Sequence, residues 1–124
     1  MTKLIAAQGC EIELTPPSAT EPPVLSVQIA EPPSTDVKAE EKGLYRGQLT
    51  IIIAGYQGGA VTTTGAGTGT IAGSAQHVKI DMMPAVLEGD TSTVPAVVTD
   101  ASTGVTQPVT LRVKSAGQNS VKGA

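Results

Sequence analysis

Apolar residues in this chain come in short alternating runs bounded by turn residues. "PVTLRVK" (108–114) sets Val109, Leu111 and Val113 against Thr110, Arg112 and Lys114, the period of a strand with one buried face. "VLSVQIA" (24–30) sets Leu25, Val27 and Ile29 against Val24, Ser26 and Gln28. Read throughout, the pattern predicts three pairs of strands: 10–15 with 24–30, 48–54 with 68–73, and 92–99 with 107–114. The stretches between partners are "TPPSATEPP", "GYQGGAVTTTGAG" and "DASTG". They are rich in Pro, Gly, Ser and Thr and read as loops.

The pairs follow one scheme. A glycine opens each (Gly9, Gly47, Gly89), then come strand, loop and strand, and Val-Lys closes it (Val37-Lys38, Val78-Lys79, Val121-Lys122). A fourth Val-Lys, Val113-Lys114, lies outside this register. The order predicts three pseudo-repeats, about 9–46, 47–88 and 89–124, within one domain spanning 1–124. The valines are expected to point inward and Lys38, Lys79 and Lys122 outward. The three glycines are expected where φ is positive or backbones approach closely. One β-arm cannot bury its own apolar face, but three around one axis can cover each other. The predicted fold is all-β: a small cone or prism of three β-arms.

Composition fits a narrow axis. The chain has 124 residues, no Trp or Phe, and two tyrosines, Tyr45 and Tyr56. With 14 Gly and 9 Pro, helix interiors are disfavoured. Net charge is −3 and no Lys/Arg cluster occurs, so a nucleic-acid footprint is missing. No apolar run reaches membrane-spanning length. One cysteine builds no internal disulfide framework. The apolar stretch in "MTKLIAAQGC" is too short for a signal h-region, so the expectation is a protein made in the cytoplasm without a signal peptide.

The most specific stretch is "GTIAGSAQHVKIDMMPAVLEGD" (69–90), with Ser74, Val78, Lys79, Pro84, Ala85, Gly89 and Asp90 at its marked positions. It resembles the PAAR and PAAR-like tip proteins of contractile injection machines. The other two units share the resemblance only through the repeated scheme. The resemblance implies a monomeric β-cone, one copy per trimeric spike or baseplate hub protein, whose point leads when a phage tail, a type VI secretion tube or a related particle strikes a membrane. Two departures stand out. The name-giving Pro-Ala-Ala-Arg is only "MPAV" (83–86) here. Many family members hold zinc with three His and one Cys, and this chain has one of each. The expectation is therefore no cofactor, or a single structural metal ion. Its candidate ligands are His77 and Cys10, with Asp36 as a third. The simpler reading makes His77 an ordinary polar residue before a strand, like Asp36 and Ser120 at the matching places. It makes Cys10 a small buried apolar residue.

Other motifs carry no chemistry. "GAGTGTIAG" (65–73) lacks the lysine and the helix of a phosphate loop and reads as a hairpin tip or strand lead-in. Glu40, Glu41, Asp81, Glu88 and Asp90 are scattered, and no base accompanies a nucleophile. The three Pro-Pro pairs between 15 and 34 read as stiff turns rather than a polyproline ligand. No enzyme is expected. The tip reading has two alternatives, a capsid decoration protein of a phage head and an adhesin-like β-sandwich module. Segments 49–53 ("LTIII") and 85–87 ("AVL") are the candidates to face a spike.

Overall fold

A computed structural model describes residues 2–20 and 24–123; Pro22-Pro23, one of the Pro-Pro pairs, lies outside them. The described residues form thirteen strands and no helix. In chain order they are β1 (Lys3–Leu4), β2 (Glu11–Thr15), β3 (Ser26–Ile29), β4 (Lys38–Ala39), β5 (Lys42–Gly43), β6 (Gln48–Gly58) and β7 (Val61–Ala72). There follow β8 (Lys79–Ile80), β9 (Met83–Pro84), β10 (Ser92–Val94), β11 (Ala96–Asp100), β12 (Thr106–Ser115) and β13 (Lys122–Gly123). The all-β expectation holds.

Seven strands make one antiparallel sheet in the order β2-β12-β11-β7-β6-β3, with β10 also on β7. Alternation sets its inner face. Leu49, Ile51 and Ile53 of β6, Ala96 and Val98 of β11, and Val109, Leu111 and Val113 of β12 are fully buried. Burying each Leu, Ile or Val side chain is worth roughly 1.5–3 kcal/mol. The sheet curls: Leu14 of β2 and Val27 and Ile29 of β3, at opposite edges, pack on the same cluster. Both tyrosines join this core; Tyr56 is fully buried, and its hydroxyl donates to the Pro16 carbonyl at 2.5 Å. A sandwich needs two facing sheets, and here all the long strands lie on one path.

A second element set sits at the end where the arms begin. Three two-stranded ladders, β4-β5, β8-β9 and β13-β1, share a register: Lys38↔Gly43, Lys79↔Pro84 and Lys122↔Leu4. The first two are closed by Glu40-Glu41 (φ 53°, 66°) and Asp81-Met82 (φ 51°, 68°), two successive left-handed residues as in a type I′ hairpin. The third is built from strands near the two chain ends. Between the ladders three segments meet. The Ala6 amide donates to the Val86 carbonyl (2.7 Å), Val86 to Tyr45 (3.2 Å) and Tyr45 back to Ala6 (2.8 Å), closing a ring. These backbone groups are buried, where an unpaired one would cost about 1–3 kcal/mol, so the ring holds three distant segments in one place.

Several sequence expectations need correction. The loop expected over 55–67 is mostly strand. β6 and β7 run as an eleven- and a twelve-residue arm. "GAGTGT" is the middle of β7, not a hairpin tip. A Cβ on Gly65 would lie 2.6 Å from Val98 Cγ1, and one on Gly69 2.6 Å from the Ala96 nitrogen. Glycine stands there so that β11 can cross β7 closely. "LTIII" and "AVL", expected as exposed apolar segments, are largely buried. Leu49, Ile51, Ile53, Ala85 and Val86 are fully buried, and Ile52 alone of the two segments is exposed. Val37 is exposed too, whereas Val78 and Val121 pack inward.

Candidate functional site

The ladder end is the most regular feature of the molecule. Its geometry follows from alternation on each side of the ring. Ala6, Tyr45 and Val86 send their side chains to the main core. Their neighbours Ile5, Ala7, Leu44, Ala85 and Leu87 face the other way, into a second, smaller core with Ala39, Ala75 and Ile80. Gly123 stands among these residues because a Cβ there would sit 2.8 Å from Val78 Cγ2. Two further sets of amides tie ladders to ring. Leu44, Ala85 and Ile5 donate to the carbonyls of Val37, Val78 and Val121 (3.1, 3.2 and 3.1 Å). Gln8, Gly47 and Glu88 donate to Gly43, Pro84 and Leu4 (2.8, 2.7 and 2.8 Å).

The glycines behave as their spacing suggested, with φ of +92°, +74° and +95° at Gly9, Gly47 and Gly89. Gly47 nevertheless donates in the role taken by Gln8 and Glu88, so it is one residue out of step with the expected glycine register.

Polar side chains brace the lead-ins to the ladders. Ser34 Oγ accepts the Asp36 and Val37 amides at 3.3 and 3.1 Å. Gln118 Oε1 accepts those of Ser120 and Val121 at 2.7 and 2.9 Å, while its Nε2 donates to Ile5 O at 2.8 Å. Asp90 accepts the Leu87 amide at 2.9 Å, the Ser74 amide at 3.1 Å and the Ser74 hydroxyl. Ser34, Asp90 and Gln118 are buried. The resemblance marked Asp90 but nothing marked Ser34 or Gln118, whose only signal is their place three residues before a Val-Lys valine.

At the far end Asp100 organises the 101–105 loop. It accepts the Thr63 hydroxyl (2.8 Å) and the amides of Thr62, Thr63, Ser102 and Thr103 (2.9, 3.1, 2.8 and 3.1 Å). The Thr63 hydroxyl and then the amides of Thr63, Ser102 and Thr103 hold its carboxyl well below the usual range. "DASTG" carries the signature, since Asp commonly ties the backbone of its own turn.

The expected metal candidates are not brought together. His77 and Asp36 are exposed and Cys10 is half-buried against the main core. Among the described residues no three of His, Cys, Asp or Glu are grouped to hold a metal ion. Burial pushes the Cys10 thiol up to about 11, so it is a neutral thiol rather than a thiolate. Lys38, Lys79 and Lys122 are exposed, as expected. Two surface clefts of about 390 and 370 Å³ exist. The first is lined by Lys3, Lys122, Arg112 and Glu88, the second by the β2 and β3 edges. No helix of the described residues is long and apolar enough to cross a membrane. Comparison with known proteins finds no family model, no curated protein and no solved structure that matches the chain.

Proposed function

We propose that this chain is a structural tip protein that caps a trimeric spike of a phage tail or related contractile injection particle. Its role is mechanical rather than catalytic. The observation that carries the reading is the closed ring of three amide–carbonyl bonds between Ala6, Tyr45 and Val86. We read the chain as a pseudo-threefold repeat, in which one chain supplies three near-equal corners. Three sets of three hydrogen bonds in matching register, and three ladders of equal pairing, support this. A single copy can then sit on a threefold partner without leaving two protomers unmatched.

Stiffness follows from the same construction. The six arm strands pair in one continuous curled sheet over the main core, and that core and the second, smaller one flank the ring from opposite sides. Outward threonines (Thr62, Thr64 and Thr68 on β7) keep the arms wettable. The resemblance of 69–90 to PAAR-like tips agrees with this reading. The decisive measurement is copy number in a reconstruction of the parent particle imaged without imposed symmetry. One copy per trimeric spike, on its axis, is expected. Three copies per spike would overturn the tip reading, and copies spread over a capsid shell would establish the decoration alternative instead.

A further inference from the structure

Resting on the tip reading, we propose that the ladder end is the face that seats on the spike, and that Lys38, Lys79 and Lys122 are its three charge anchors, each meeting a carboxylate of one protomer. The two ends of the molecule differ in regularity. At the loop end the two-residue turn 59–60 and the five-residue loop 101–105 differ in length and offer a threefold partner nothing repeated. At the ladder end each corner has the same register, and the valine before each lysine receives an amide from the central segment. The three lysines therefore stand at like positions around the ring, on hydrogen-bonded ladders.

Five of the chain's six lysines (Lys3, Lys38, Lys42, Lys79, Lys122) lie in the ladders, interspersed with carboxylates rather than forming a positive face. The acidic groups nearby are Asp36, Glu40, Glu41, Asp81 and Glu88. Asp81 is taken by Arg46 at 2.9 Å. Glu40 accepts the Asn119 amide at 2.6 Å and the Ser120 hydroxyl at 2.9 Å. Glu88 accepts the Ala116 amide at 3.2 Å. Among the described residues the ion pairs are Arg46–Asp81 and Arg112–Glu13, so Lys38, Lys79 and Lys122 are in none. Met82, 91% exposed at one corner, and Val37 at another add apolar area beside these charges.

The test measures how the full chain occupies the purified trimeric spike of its own particle. Lys38→Glu, Lys79→Glu and Lys122→Glu are compared singly and together, after melting curves establish that each variant folds like the parent. Each single reversal should weaken binding about 3- to 5-fold at 0.15 M salt, the range of a partly exposed ion pair. The triple variant should lose on the order of 30- to 100-fold, because the sites are separate and multiply. High salt should narrow every difference. Unchanged binding by all three variants, or one variant carrying the whole loss, overturns the anchor assignment while leaving the tip reading standing. So does a reconstruction in which the loop end faces the spike. If the parent chain itself is not on the spike, the tip reading fails and this inference fails with it.

Discussion

Single residues show which glycines are structural and why. Gly67 lies in β7, and a Cβ there would come within 2.8 Å of the Val97 carbonyl carbon and 3.0 Å of Val98 Cα. Both are backbone atoms of β11, which cannot yield without breaking the sheet. Gly67→Ala should therefore cost about 2–3 kcal/mol. Gly104 has φ of +74° and open space around its absent side chain. Gly104→Ala should cost only the left-handed strain, about 1 kcal/mol. Chemical denaturation of the two variants checks the ordering, which reverses if β11 does not cross β7 as described. Asp100 gives a pH signature. Its folded carboxyl titrates below its unfolded value of about 3.9. Unfolding takes up a proton between these two limits, so the stability it contributes is complete above about pH 4 and drains away as pH falls below it. Asp100→Asn should flatten the acid limb of stability against pH while leaving the neutral limb parallel to the parent. An unchanged acid limb would mean that the carboxylate is not held by Thr63 and the loop amides.

At the scale of elements, the two closed ladders carry a cost the sequence alone did not reveal. Type I′ turns prefer Asn-Gly or Asp-Gly because both central residues take positive φ. Here they are Glu40-Glu41 and Asp81-Met82. Met82→Gly restores Asp-Gly, keeps Asp81 for Arg46, and should stabilise the fold by roughly 1 kcal/mol, read as a higher denaturation midpoint at unchanged slope. A loss would show that Met82 packs against something within the chain. These turns explain what was legible and what was not. Strand 107–114 alternates cleanly and matches β12, and the expected strand 92–99 is β10 and β11, broken at Pro95. The Val-Lys pairs marked the ladders, but without glycine in the turns their return strands were invisible. The third ladder joins residues near opposite ends of the chain, and no local pattern can announce that. β6 and β7 were cut short because glycine there serves close backbone approach, which in sequence looks like a turn. The metal candidates show a related limit. Asp36, His77 and Ser120, each one place before a valine, are all exposed, which fits the simpler reading of His77 as an ordinary polar residue before a strand. The second core is filled from Ile5, Leu44, Ala85 and Ile80 instead.

For the whole molecule, the third ladder suggests a direct test of repetition. β13 and β1 pair as β4-β5 and β8-β9 do, so the position of the chain ends is one choice among three equivalent corners if the units are true repeats. A permuted chain, with residues 124 and 1 joined by a short Gly/Ser linker and new ends opened between Glu40 and Glu41, should then fold. So should one opened between Asp81 and Met82. Each exchange closes one short loop and opens another. The net entropy change is small, because closure cost varies only slowly with loop length. Breaks at exposed turn tips are the kind that folds tolerate. Both permutants should melt within a few degrees of the parent, and the second should come closer, since Glu40 also holds Asn119 and Ser120 across the corner. A third permutant opened between Gly59 and Ala60 sets the comparison. That turn lies against Gln107, whose Oε1 accepts the Ala60 amide at 3.0 Å, at the end where the connections differ. Opening it should cost more than opening either ladder. If the ladder permutants fail to fold while the Gly59 permutant survives, the corners are not equivalent, and the symmetric seat proposed for the trimeric spike loses its basis.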